Sequence, residues 1–242
     1  MDHILVIVAL GALILIHELG HFLTAIKLGI PMERFSLGFG PKLIGRRWRG
    51  VEYRLSMIPF GGYVLPRVKD LDEFYSIPGR KRILFSLGGP AANFITAYFL
   101  LLIINISTSG YSQDMFMVPL VQMFSMKAGM FVSIGMLFKD PGAVSGAVGI
   151  VSQGGEFVGG SVLRLMLFSA FLSINLGLFN LLPVPALDGG KILFALLENI
   201  SIRTRKLQLP VTIASILFLV VLMGFATVMD IARIFDITSI YT

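Results

Sequence analysis

Residues 4–28 read ILVIVALGALILIHELGHFLTAIKL, an apolar run broken only by His17, Glu18, His21, Thr24 and a closing Lys27. A membrane span needs about 20 such residues, so the run is long enough to cross a bilayer. No basic region precedes it and no small-residue cleavage site follows, which makes it a retained helix rather than a signal peptide. Inside it, His17-Glu18-Leu19-Gly20-His21 has the form H-E-x-x-H. On a helix, positions four apart share one face with Cβ atoms about 6 Å apart. Both imidazoles can then reach one Zn²⁺ at about 2.0–2.1 Å. Glu18 lies about 100° round the helix, close enough to take a proton from water without binding the metal itself. As a chance match, the motif would leave a carboxylate and two imidazoles uncompensated in hydrocarbon, so ionisable residues at such a place read as a functional site.

The rest of the composition agrees with a membrane protein. Of 242 residues, 55% are hydrophobic and only 14% charged, against roughly 25% charged in soluble domains. Further apolar runs cover about 83–106, 161–182 and 211–229. The net charge of +6 is concentrated, with 12 of the 20 Lys and Arg lying between Lys27 and Arg82. A basic loop between two apolar runs is what the positive-inside rule predicts for the cytoplasmic side. Lys191, Arg203, Arg205 and Lys206 form a second basic loop, which places both termini outside. No aromatic platform accompanies the cations, so nucleic-acid binding is excluded.

The predicted fold is thus an all-α polytopic membrane protein of about four transmembrane helices, with one small exception after the first. Val51-Glu52-Tyr53-Arg54-Leu55-Ser56-Met57 alternates apolar and polar residues, the period-two mark of a strand. Glycine and proline turns surround it, giving a small β-region over about 33–64 that dips from the cytoplasmic face into the membrane towards the active site, where protein or a watery cavity surrounds its non-helical backbone. Residues 116–138 are apolar but carry Lys127, and read as an amphipathic helix on the outer membrane surface. The Gly-rich stretch from Pro141 to Gly160 reads as a loop. Residues 1–242 form a single domain on this basis.

A hydrolytic zinc site uses three protein ligands and leaves one position open. The chain has no Cys, and His3 lies about 21 Å along the helix from His17, so the third ligand is Asp or Glu. Asp188 stands out, in Asn180-Leu181-Leu182-Pro183-Val184-Pro185-Ala186-Leu187-Asp188-Gly189-Gly190, where the third span ends at two prolines. If the first and third spans both run inwards, Asp188 reaches the depth and side of His17 and His21.

These motifs together resemble the bacterial site-2 protease family of intramembrane zinc metalloproteases. The likeness rests on HELGH (17–21), NLLPVPALDGG (180–190), the β-region from Glu33 to Val64, and Gly89-Pro90-Ala91-Ala92-Asn93-Phe94. It implies one Zn²⁺ held by His17, His21 and Asp188, with Glu18 as the catalytic acid/base. It implies further that Asn180, Pro183 and Pro185 hold the substrate backbone, while the β-region, with Tyr53, Gly61 and Gly62, binds the substrate as an extended strand. The expected activity is cleavage within the membrane of a single-span protein, such as an anti-sigma factor or a remnant signal peptide. The expected location is the bacterial inner membrane, with the site towards the cytoplasm. Many relatives carry PDZ domains between the second and third helices. Only about 55 residues lie there in this chain, too few for such a domain, which leaves substrate selection to the membrane core or to a regulatory membrane partner. The competing readings are a metal transporter and a non-catalytic substrate-binding protein. A transporter would need further acidic or histidine sites along a path, and a binder would have no use for Glu18.

Overall fold

The computed structural model describes residues 1–126, 146–198, 201 and 204–235. Four of its helices are long and apolar enough to cross a membrane: α1 (Asp2–Lys27), α3 (Gly79–Ser109), α5 (Val162–Asn180) and α7 (Thr204–Ile234). At 1.5 Å per residue, even the 19 residues of α5 extend about 28 Å. The shorter helices are α2 (Leu71–Ser76), α4 (Ala147–Val158) and α6 (Asp188–Leu197).

An all-α description does not hold for residues 32–66. They form two long strands, β1 (Met32–Trp48) and β2 (Val51–Pro66), paired antiparallel in one small sheet. The strands bend, so that Arg34–Leu37 has a partner on each edge: Leu65 to Gly62 on one, Glu52 to Leu55 on the other. The second half of β1 pairs again with β2, from Lys42↔Ser56 to Trp48↔Val51. The expected alternation over 51–57 is therefore a true strand, and the β-region begins and ends slightly beyond its predicted limits.

The chain divides into two compact units. The unit made of residues 9–96 and 176–212 contains the sheet. Phe22 and Ala25 of α1 pack there with Ile30 and Met32, and Phe35, Tyr53, Val64 and Phe85 close over them. Glycines set the approach of α1 to α3. A Cβ at Gly88 would stand 2.6 Å from the Gly20 carbonyl oxygen, and one at Gly20 would overlap the Gly88 carbonyl. Nearer the start of α3, Arg82 and Glu198, both buried, form an ion pair at 2.5 Å that Arg205 joins at 3.1 Å.

The unit made of residues 1–8, 97–175 and 213–242 corrects a second expectation. The stretch predicted as a Gly-rich loop contains helix α4. Its first turn is stabilised from outside itself: the buried carboxylate of Asp230, on α7, accepts the Gly149 N–H at 2.7 Å. At its other end Gly160 N–H donates to Asp2 at 2.9 Å, and a Cβ at Gly155 would meet the His3 ring at 2.6 Å. The glycines that argued for a loop are needed because α4 packs this tightly. Of the amphipathic segment expected over 116–138, residues 118–126 are helical, and Gln122 and Asn105 exchange amide hydrogen bonds at 2.8 and 3.2 Å. The remainder lies outside the described residues.

Two predictions follow from these contacts. Asp230→Ala removes the N-terminal cap of α4, worth about 1–2 kcal/mol. Amide hydrogen exchange over residues 147–150 should accelerate, whereas unchanged protection would remove the capping role. At the sheet, hydrogen bonds from Lys42 and Arg34 lower the Glu52 carboxyl from 4.5 to about 2. A depressed folded-state value stabilises the sheet fully above pH 4.5 and loses that contribution as pH falls towards 2. Hydrogen exchange in β1 and β2 should rise across that window in wild type and much less in Glu52→Gln.

Candidate metal centre

His17 and His21 stand one turn apart on α1, both buried. Their Nε2 atoms are 3.2 Å apart, and Asp188 Oδ2 lies 3.1 Å from the first and 3.0 Å from the second. Three ligand atoms therefore form a nearly equilateral triangle. Ligands held tetrahedrally at about 2.0–2.1 Å from one zinc ion stand about 3.3–3.4 Å apart, so the triangle matches the ion within a few tenths of an ångström.

The protons give a second test of fit. His21 Nδ1 lies 2.7 Å from the Phe85 carbonyl oxygen and 3.3 Å from Gly89 N. The shorter contact requires the ring to donate its Nδ1–H, because a carbonyl can only accept. Nε2 then carries a lone pair pointing at a carboxylate oxygen, an arrangement that repels unless a cation lies between the two. The side-chain amide of Asn93, fully buried on α3, lies 2.9 Å from His17 Nδ1. That contact is made by the amide Nδ2 and fixes the orientation of the His17 ring. A protein group on the far nitrogen is the usual means of fixing a metal-binding imidazole.

Asp188 is the first residue of α6 and is 3% exposed. Burial pushes its carboxyl up, and the charge of Lys191 acts against that. The Lys191 ammonium donates to Oδ1 at 2.9 Å, which leaves Oδ2 alone to face the imidazoles. Gly189 and Gly190 let α6 start hard against the preceding segment: a Cβ at Gly190 would come 2.5 Å from Pro185 Cα. The two prolines and the glycine pair expected at this turn thus act together, one ending α5 and the other admitting α6.

Glu18 is half-buried and points to the sheet, where a Cβ at Gly62 would stand 2.8 Å from its Cγ. Residues 62–65 pair on one side with Arg34–Leu37; among the described residues no strand covers their other edge. The other residues named from the sequence are more dispersed. Gly61 has φ 119 and packs under the Phe39 ring. Asn180 donates to the Leu176 carbonyl at 2.9 Å at the end of α5, and Pro183 and Pro185 lie in the turn to α6. The Tyr53 ring lies in the apolar seam, 5.7 Å from Phe22 and 6.3 Å from Trp48. Sequence reasoning did not assign Asn93, Phe85, Gly89 or Lys191. The stretch Gly89 to Asn93 carried the only available signal, as a motif without a role.

With this geometry in place, comparison with known proteins identifies the class. The model of "Peptidase family M50" matches residues 5–224, and the chain belongs to that family. A predicted zinc metalloprotease of Campylobacter jejuni is 27% identical over 97% of this chain and 94% of its own length. Another, from Chlamydia pneumoniae, is 45% identical over 39% of this chain, a match spanning 18% of the Chlamydia protein. The regulator of sigma-E protease RseP of Salmonella typhimurium is 43% identical over 38% of this chain and 23% of its own length. The chain is accordingly an integral membrane zinc metallo-endopeptidase by class, and His17, His21 and Asp188 form its group able to hold the metal. The Campylobacter alignment runs over 346 positions, more than the 242 residues of this chain, so that relative has additional residues within the matched span.

Gly89 gives the sharpest test of the centre. A Cβ there would overlap His21 Nε2 and lie 2.6 Å from His17 Nε2. Gly89→Ala should reduce zinc per chain from near one to near zero, measured by elemental analysis of the purified protein. Full zinc occupancy in that variant would place the metal elsewhere.

Proposed function

We propose that this protein is an intramembrane endopeptidase that cleaves a transmembrane segment of single-span membrane proteins. One observation carries the proposal: the His17, His21 and Asp188 triangle stands beside Glu18, and Glu18 stands beside the open strand edge at Gly62. His17, His21 and Asp188 are its zinc ligands. Bound zinc supplies Lewis acidity, polarising the scissile carbonyl and easing the loss of a proton from water. Asn93 and the Phe85 carbonyl orient the two imidazoles, and Lys191 holds Asp188 with one oxygen forward.

A helical substrate hides its carbonyls in hydrogen bonds and must be extended before it can be attacked. The edge at residues 62–65 offers free backbone donors and acceptors, which a substrate strand can pair with by β-augmentation. Its backbone then runs past the Glu18 carboxylate. Glu18 takes the proton of the attacking water on a carboxylate oxygen. It then delivers that proton to the leaving amine as the peptide bond breaks. Asn180, Pro183 and Pro185 border the substrate from the turn before α6, and Gly61 lets the strand turn at the edge.

The two basic stretches support an orientation with both termini outside and the centre towards the cytoplasm of a bacterial inner membrane. The family match runs through residues of both compact units, which supports treating 1–242 as one catalytic domain. Likeness to a regulator of sigma-E protease favours a regulatory substrate such as an anti-sigma factor. A remnant signal peptide has the same single-span chemistry.

The test is cleavage of a single-span substrate by the purified protein in detergent or nanodiscs. Glu18→Gln should lower turnover by at least about 10²-fold, the low end for loss of a general base, and keep its zinc. Asp188→Ala should lose both activity and zinc. Wild-type turnover by Glu18→Gln would refute the role of Glu18. Full zinc content in Asp188→Ala would refute the ligand set.

A further inference from the structure

A cavity of about 180 Å³ lies between the sheet, α2, α3, α6 and α7, within the unit that holds the metal centre. Val64, Phe74 and Phe85 give it apolar walls, and Ser86, Lys191 and Gln208 bring polar atoms to it. Among the described residues no carboxylate lines it. Arg82 also borders the cavity, but its guanidinium nitrogens are all engaged, by Glu198 and by the Ile77 carbonyl.

The cavity adjoins both the centre and the open edge. The Phe85 carbonyl accepts from His21 and the Lys191 ammonium donates to Asp188, so two lining residues touch metal-centre side chains directly. Val64 belongs to the edge at 62–65. Residues two apart on a strand share a face, and on that face a Cβ at Gly62 would meet Glu18. A chain paired along this edge therefore puts every second side chain on one face, beside Glu18 or over the cavity.

Two of the polar side chains have bonding capacity left over. Ser86 is 2% exposed, yet its hydroxyl has no hydrogen-bond partner among the described residues. A helical serine often bonds the carbonyl four residues back, and a buried hydroxyl without any partner is costly. Gln208 accepts the Tyr75 hydroxyl through Oε1 at 3.0 Å, and its amide N–H groups have no partner among the described residues. With the Lys191 ammonium, the cavity thus offers three donors between apolar walls. An apolar cavity of about 150 Å³ admits a benzene ring, so this one has room for an aromatic side chain. We propose that the cavity is a specificity pocket for one large substrate side chain, apolar along its stem and carrying a hydrogen-bond acceptor at its tip. Among the natural side chains tyrosine fits best. This assignment rests on the intramembrane endopeptidase activity proposed above. Because Phe85 and Lys191 touch the metal-centre side chains, the tyrosine lies within roughly three residues of the bond cleaved, about 10 Å of extended chain.

The test uses the zinc-loaded full-length protein in nanodiscs and a single-span substrate that it cleaves, with the cut located by mass spectrometry. Each of the three positions on either side of the cut is replaced in turn by Ala, Phe and Tyr. At one position kcat/KM should rise at least about 10-fold from Ala to Phe, and roughly 3-fold more from Phe to Tyr. Ser86→Ala should remove the step from Phe to Tyr there, with zinc content unchanged. Ser86→Leu, which fills the cavity, should reverse the order, so that Ala outruns Phe. Should either variant fail to hold zinc, the wild-type profile decides alone. A flat profile at every position would overturn the proposal and leave the cavity a water site. A Tyr preference that both Ser86 variants retain would also overturn it. Failure of zinc-loaded wild type to cleave any single-span substrate would instead overturn the endopeptidase activity on which the pocket rests.

Discussion

The close approach of α1 to α3 at Gly20, Gly88 and Gly89 is the contact on which the centre depends. Ionisable side chains within an apolar span are costly unless every lone pair and proton finds a partner. The histidines of α1 cannot meet that condition from their own helix. α3 supplies it, with the Phe85 carbonyl under His21 and the Asn93 amide under His17, because no side chain at positions 20, 88 or 89 keeps the two backbones apart. The ring nitrogens left over then converge on a single carboxylate oxygen.

Asp188 completes the set by a different device. It comes from the first residue of a new helix, which starts abruptly after the two prolines because Gly189 and Gly190 tolerate the crowding. The N-terminal turn of a helix favours a negative charge, and Lys191, one turn later, engages the oxygen that does not face the histidines. The sheet adds a third constraint. Gly62 lies against Glu18, so one backbone edge is held beside the group that must handle the proton. The proposed chemistry needs little more than this juxtaposition of a metal triangle, a carboxylate and an open edge.

Much of this was legible in the sequence for a physical reason. Spans are set by the length of an apolar run, so four of them could be read directly, within a few residues at most ends. H-E-x-x-H is a local pattern on one helix, and its geometry follows from the helical repeat alone. Residues 51–57 declared a strand through their alternation. The glycine stretch from Pro141 to Gly160 misled because glycine suits both a loop and a tightly packed helix. Its helix α4 depends on Asp230, about 80 positions away in the chain, and no local pattern announces that partner.

What the amino-acid order determined by itself was whatever depends on neighbours along the chain: the spans, the pair of histidines four apart, the strand alternation and the concentration of positive charge. Only the tertiary structure decided which carboxylate faces the histidines, which groups orient their rings, and which strand edge lies against Glu18. Those relations join residues from 44 to more than 170 positions apart. They arise from the distance at which glycine-lined backbones can meet, a property that no single segment carries.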